Sequence, residues 1–136
     1  MGRTILILLD THVVIWIAMA PAKVSKNART ALDKARGDDT GIAISDLTLL
    51  ESTRLCSTGQ VGFSTILEAF LSEVERRFVV LPMNGRRICV QAFGLPANYP
   101  KDPADRIIGA TALVEGLSLV TADRAIRNSR AVPTIW

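Results

Sequence analysis

The sequence predicts an α/β fold: three layers, with helices on both faces of a mostly parallel central sheet of about five strands. Three observations carry this. Ile5-Leu6-Ile7-Leu8-Leu9 is an unbroken aliphatic run too short for a helix, as expected of a strand buried on both faces. Short apolar runs then alternate with segments of helical spacing to the end of the chain. Finally, Asp102-Pro103 and Gly116 bracket a helix with a cap residue, a first-turn proline and a terminal glycine in the expected order.

Each element follows from its local pattern. After strand Ile5–Leu9, the dense apolar stretch from His12 to Met19 is a helix closed by Pro21, and Ser25 to Arg36 is a second one, with Ala28, Leu32 and Ala35 at helical spacing. Gly37-Asp38-Asp39-Thr40-Gly41 is a turn cluster, followed by strand Ile42-Ala43-Ile44. Asp46 to Leu55 is helical, with Leu47, Leu50 and Leu55 expected on the core face. Thr65 to Arg77 sets Ile66, Leu67, Phe70, Leu71 and Val74 on one stripe. Phe78 to Leu81 is a strand and Arg86 to Phe93 a helix. The capped helix from Pro103 leads into strand Leu117–Thr121, a helical turn from Arg124 and a last strand near Val132–Ile135.

A length of 136 residues with 49% hydrophobic content suits one domain spanning 1–136, able to bury roughly two-thirds of its unfolded surface. The longest apolar stretches, Ile5–Leu9 and Val13–Ala20, fall far short of the roughly 20 residues a membrane helix needs, so no membrane role is expected. The first run meets Asp10 with no small-residue cleavage site after it, which argues against a secretory signal and for a cytoplasmic location. Cys56 and Cys89 read as small core residues of a reduced protein. The net charge of +3 is a mild bias. Its cations gather at Arg76-Arg77, Arg86-Arg87 and Arg124, Arg127, Arg130, where they either meet a phosphate backbone or solvate helix ends; by count alone the second reading prevails.

Four acids stand where apolar segments end or helices begin: Asp10, Glu51, Asp105 and Asp123. A carboxylate after five aliphatic residues is costly unless it meets solvent or a cation. Asp10 and Asp123 each follow a strand, and ligand crevices open at the carboxyl ends of parallel strands where strand order reverses. Three of the four acids, and Asp46 beside them, have ordinary alternatives. Asp10 suits a helix cap, Asp105 suits the third position of a capping box, Glu51 suits an exposed helix surface, and Asp46 suits the first-turn dipole. Capping alone does not explain two acids ending two strands of one sheet. Clustered carboxylates repel unless a cation sits between them, so a shared site implies a hard divalent ion with oxygen ligands, such as Mg²⁺ or Mn²⁺. His12, the single histidine, is read as a structural hydrogen-bonding residue rather than a substrate contact, and no hydroxyl or thiol triad has the residues it needs.

Leu9-Asp10-Thr11-His12, Ile44-Ser45 leading to Glu51, Asp102-Pro103-Ala104-Asp105-Arg106-Ile107-Ile108 and Leu119-Val120-Thr121-Ala122-Asp123-Arg124 together resemble the PIN-domain ribonucleases, in particular the VapC-type toxins of type II toxin–antitoxin pairs. The resemblance spans nearly the whole chain and is loosest around Glu51. It implies a PIN-like α/β/α sandwich, a Mg²⁺- or Mn²⁺-dependent endoribonuclease with one or two ions per site, and a cognate antitoxin that covers the site. Carried over residue by residue, it makes Asp10, Glu51, Asp105 and Asp123 the catalytic and metal-holding quartet. Thr11 and Thr121 become supporting polar groups, and Arg106 and Arg124 become contacts for RNA substrate or structural ion pairs. It also implies a homodimer, with which the mean hydropathy of +0.28 agrees.

Two departures bear on substrate choice: Tyr99-Pro100-Lys101 stands where related sequences often carry an aromatic or histidine beside the Asp-Pro-x-Asp helix, and Leu50 precedes the acid where a bulkier residue is usual. Two other classes remain. A phosphohydrolase using the aspartate after strand one as nucleophile, as in the haloacid-dehalogenase pattern, needs a second Asp where this chain has His12. A non-catalytic RNA- or partner-binding module on the same fold is the other.

Overall fold

β1 (Ile5–Leu9) lies at the centre of a five-stranded sheet, flanked by β2 (Gly41–Ser45) on one side and β4 (Ser118–Val120) on the other. β3 (Val79–Leu81) and β5 (Thr134–Ile135) form the edges, giving the order β3-β2-β1-β4-β5 with every pairing parallel. The computed structural model describes residues 5–37, 41–57, 67–83 and 85–136. Turn residues 38–40 and the first two residues of the helix expected from Thr65 lie outside the described residues, as does the side chain of Cys56.

Seven helices cover the sheet among the described residues: α1 (Thr11–Met19), α2 (Lys26–Gly37), α3 (Asp46–Ser57), α4 (Leu67–Arg77), α5 (Arg86–Phe93), α6 (Pro103–Glu115) and α7 (Arg124–Ser129). The side-chain alternation of the strands separates two cores. Ile7 and Leu9 of β1, Ile42 and Ile44 of β2 and Val120 of β4 pack with α1, α2 and Val74 of α4. Leu8, Ala43 and Leu119 face the opposite way, onto Ile108 and Ala112 of α6, Ile126 of α7, Leu95 and Tyr99. The three-layer α/β/α sandwich follows.

Helix ends obey the caps in the sequence. Asp102 accepts from Ala104 N–H (2.8 Å), Pro103 opens α6, and Gly116 closes it at φ +68°, a left-handed conformation that glycine adopts without strain. One short element is added and two local expectations are corrected. Pro21–Lys23 adds a short 3₁₀ turn after α1, because proline stops the α-helix while its fixed φ suits a tighter turn. Leu50 is 64% exposed, and Thr48 and Ser52 are buried in its place, so α3 turns a polar face inward. Cys89 is exposed on α5, where only Ile88 is buried, and is a surface thiol, not a core residue. Arg76 and Arg77 both pair with Glu73 (2.5 and 2.6 Å), the helix-end solvation that their count suggested.

The chain runs from β1 outward through β2 to β3, then crosses back through α5 and α6 to β4 on the other side of β1 and on to β5, so the strand order reverses at β1. Leu9 is level with Ile44 and Val120. Asp10, Ser45 and Thr121 therefore follow at one end of the sheet, the place where this architecture gathers functional groups.

Candidate active site

Asp10 is 4% exposed, and both of its carboxylate oxygens are engaged. Oδ1 accepts from Thr11 N–H (2.9 Å), capping α1, while Oδ2 accepts from the Thr121 hydroxyl (2.7 Å). Its own N–H donates to Val120 O (3.0 Å), which extends the β1–β4 ladder one residue past the strand. The buried carboxylate is thus tolerated through charge-assisted hydrogen bonds from two elements.

Glu51 joins Asp10 through Thr11. The Thr11 hydroxyl donates to Glu51 Oε1 (2.7 Å) and lies 3.1 Å from the Thr48 hydroxyl. A hydroxyl has one proton, so Thr11 gives it to the carboxylate and Thr48 donates to Thr11. Thr48 precedes Glu51 by three residues, one turn along α3, and shares its face. That spacing was the only signal in the sequence for Thr48. Burial first, then the charges of Asp10 and Asp102, raise the Glu51 carboxyl above its ordinary value, against the hydrogen bond from Thr11 and the Arg54 guanidinium.

Thr121 ties in the third acid. Its hydroxyl donates to Asp10 and accepts from Asp123 N–H (3.1 Å), and Asp123 Oδ1 caps α7 by accepting from Ile126 N–H (3.1 Å). His12 braces the same junction: its Nε2 accepts from Ala122 N–H (3.1 Å), which places the ring proton on Nδ1. Nδ1 stands 3.6 Å from Asp10 Oδ2, beyond hydrogen-bond range, and the ring packs on Trp16 with centroids 4.9 Å apart. His12 has the structural role expected of it.

Asp105 sits in the first turn of α6, whose cap is supplied by Asp102. Its carboxyl is raised from 3.8 to about 7, first by burial and then by the charges of Asp10, Asp102, Glu51 and Asp123. The same field reaches Tyr99, whose hydroxyl is pushed up by burial and by Asp10, Asp105 and Asp123. Four acids distant in sequence therefore share one electrostatic neighbourhood, with Asp102 as a fifth.

The two arginines part company. Arg106 spends its guanidinium on four carbonyls, Ala92 and Leu95 through Nη1 and Pro96 and Tyr99 through Nη2 (3.2–3.4 Å), and so staples the α5–α6 connection. This is the structural alternative left open for it, with carbonyls in place of an ion-pair partner. Arg124 is exposed at the start of α7, next to Asp123.

The donor set is carboxylate and hydroxyl oxygen, which suits a hard divalent cation, and the Asp105 carboxyl is raised first by burial and then by the neighbouring negative charges. As placed, no three His, Cys, Asp or Glu side chains among the described residues are arranged to hold a metal ion between them. Asp10 points its oxygens at Thr11 N–H and the Thr121 hydroxyl, and Asp123 points Oδ1 at Ile126 N–H.

Comparison with known proteins decides the family. The model of the PIN domain matches residues 7–131. The chain belongs to the PIN domain family. It is 30% identical over 132 residues to Ribonuclease VapC22 of Mycobacterium tuberculosis, covering 96% of this chain and 98% of that protein. Among solved PIN-like folds, it is similar to a chain of the Rickettsia felis VapBC2 complex bound to a promoter DNA fragment, with TM-score 0.69, 17% identity and coverage of 96% and 97%. A chain of VapBC-1 from nontypeable Haemophilus influenzae gives TM-score 0.68 at 18% identity, covering 96% of each, and one from a Klebsiella pneumoniae toxin–antitoxin complex gives 0.64 at 22%, covering 92% and 93%.

Proposed function

We propose that this PIN domain is the toxin of a toxin–antitoxin pair, an endoribonuclease that hydrolyses RNA phosphodiester bonds with Mg²⁺ or Mn²⁺. The observation that carries the reading is the convergence of Asp10, Glu51, Asp105 and Asp123 on one electrostatic neighbourhood at the strand-order switch. Relationship to Ribonuclease VapC22 along almost the full chain supports the chemistry. The likeness to chains of toxin–antitoxin complexes adds that the fold suits an antitoxin partner.

Asp10, Glu51, Asp105 and Asp123 would hold one or two ions; when bound, the metal supplies an acidified water and a Lewis acid for the phosphodiester. The chain's own residues prepare that site. Thr121 and Thr11 hold the Asp10 and Glu51 carboxylates by donating to them, and Thr48 fixes which way Thr11 donates. Asp105 would have to give up its proton to hold a cation, so loading would release protons near neutral pH. Arg124 offers an exposed cation beside Asp123 to a flanking phosphate. A homodimer and a cytoplasmic location complete the reading.

A non-catalytic binding module is the second reading, favoured by the absence of a preformed three-ligand group among the described residues. One experiment separates them. Wild-type protein is expected to cleave RNA in Mn²⁺ or Mg²⁺ and to stop on chelation, while Asp10→Asn stays folded and inactive. Full activity in Asp10→Asn, or none in the wild type with either metal, ends the proposal.

A further inference from the structure

Tyr99 is the largest fully buried side chain among the described residues, 1% exposed, yet it belongs to the connection between α5 and α6 rather than to a helix or strand. Its hydroxyl donates to the backbone carbonyl of Asp105 (2.9 Å), in the first turn of α6. The hydroxyl can be there only because position 109, one turn further on, has no side chain: a Cβ at Gly109 would lie 2.2 Å from Tyr99 Oη and 2.8 Å from Cζ. Glycine inside a helix costs about 1 kcal/mol relative to alanine. That cost sits in the helix that carries Asp105, and it admits this one ring. Arg106 closes the arrangement from the other side, bonded to Tyr99 O and with its guanidinium carbon 6.0 Å from the ring centroid.

Resting on the metal-dependent reading above, we propose that Tyr99 is a positioning residue: its hydroxyl, seated against Gly109, fixes the turn of α6 that presents Asp105 to the other acids. The hydroxyl is committed to the Asp105 backbone carbonyl. It acts through the Asp105 backbone, as outer groups around metal ligands do when their loss weakens metal affinity or turnover by about tenfold or more. The ring fills space and the oxygen sets geometry, so the two roles separate in Tyr99→Phe.

The test measures Tyr99→Phe against wild type in three ways: Mn²⁺ affinity by calorimetry, steady-state cleavage of an RNA oligonucleotide at saturating Mn²⁺, and thermal unfolding in chelator. The expected result is Mn²⁺ binding weakened about tenfold and kcat lowered about tenfold. KM for RNA stays within about twofold, since the hydroxyl is committed to the Asp105 carbonyl. Wild-type Mn²⁺ affinity in the variant overturns the proposal, and so does a change carried wholly by KM. If Tyr99→Phe fails to fold, Gly109→Ala displaces the hydroxyl from the other side and is read in the same way. Should the wild type bind Mn²⁺ but cleave no RNA, the nuclease reading fails while Tyr99 is still judged on the affinity. Should it bind no Mn²⁺, both fall.

Discussion

Asp105→Asn should make the metal-free protein more stable at alkaline pH, although it removes a candidate catalytic group. In the fold, the Asp105 carboxyl titrates near 7 instead of 3.8, so the folded chain binds this proton more tightly than the unfolded chain. The sign follows from linkage: the contribution is fully present below about pH 4 and is lost as pH rises through 7, where an ionised carboxylate must sit among Asp10, Asp102, Glu51 and Asp123. Moving a carboxyl from 3.8 to about 7 bounds the effect at about 4 kcal/mol. Partial solvent access screens the repulsion, and the N-terminal dipole of α6 favours the charge, which together reduce the bound to about 1–2 kcal/mol. For a domain of this size that is roughly 3–8 °C in Tm. Thermal unfolding in chelator at pH 8 and pH 4 checks it: Asp105→Asn is expected to melt higher than wild type at pH 8 and alongside it at pH 4. Saturating Mn²⁺ at pH 8 should reverse the order, because a cation at about a hundred times its Kd adds about 2.7 kcal/mol to the protein that binds it. A variant no more stable than wild type at pH 8 in chelator would refute the claim that burial and the neighbouring carboxylates disfavour a charge on Asp105.

Thr48→Val keeps shape but removes the donor behind Thr11, and should cost about 1 kcal/mol in denaturant unfolding while lowering cleavage through a less ordered Glu51. Leu50→Ser, two residues on, should change stability by less than about 0.5 kcal/mol, since the side chain is 64% exposed; a larger loss would return Leu50 to the core. Gly109→Ala should destabilise by about 1–2 kcal/mol despite the better helix propensity of alanine, because its Cβ overlaps the Tyr99 hydroxyl; a gain in Tm would mean the ring swings aside freely.

The fold was legible because its elements are bounded by residues with strong local preferences. The aliphatic run before Asp10 and the Asp102-Pro103…Gly116 frame leave little choice of structure, and both elements stand as expected. The facing of α3 was not legible. Leu47, Leu49, Leu50 and Leu55 are apolar on more than one side, so hydrophobic spacing could not say that Thr48 and Ser52 turn inward. What decides it is a partner 37 residues away, the Thr11 hydroxyl, and chain-local patterns carry no information about such a partner. The Tyr99–Gly109 contact had half a signal, a glycine inside a helical pattern, but the ring that explains it lies in a loop.

Capping was the ordinary alternative to site membership for Asp10, and the structure shows that Asp10 and Asp123 both cap helices at the end of the sheet where the candidate site lies. In a parallel sheet the carboxyl end of a strand is also where the next helix begins, so an acid placed there meets the helix N–H groups and its counterparts on neighbouring strands together. Asp10 reaches Thr11 N–H with one oxygen and Thr121 with the other; Asp123 reaches Ile126 N–H. A cation drawn to the cluster therefore competes for oxygens already held by hydrogen bonds. On the metal-dependent reading, loading would be coupled to the caps of α1 and α7, and mutations that loosen either cap without touching a carboxylate should shift metal affinity as well as stability.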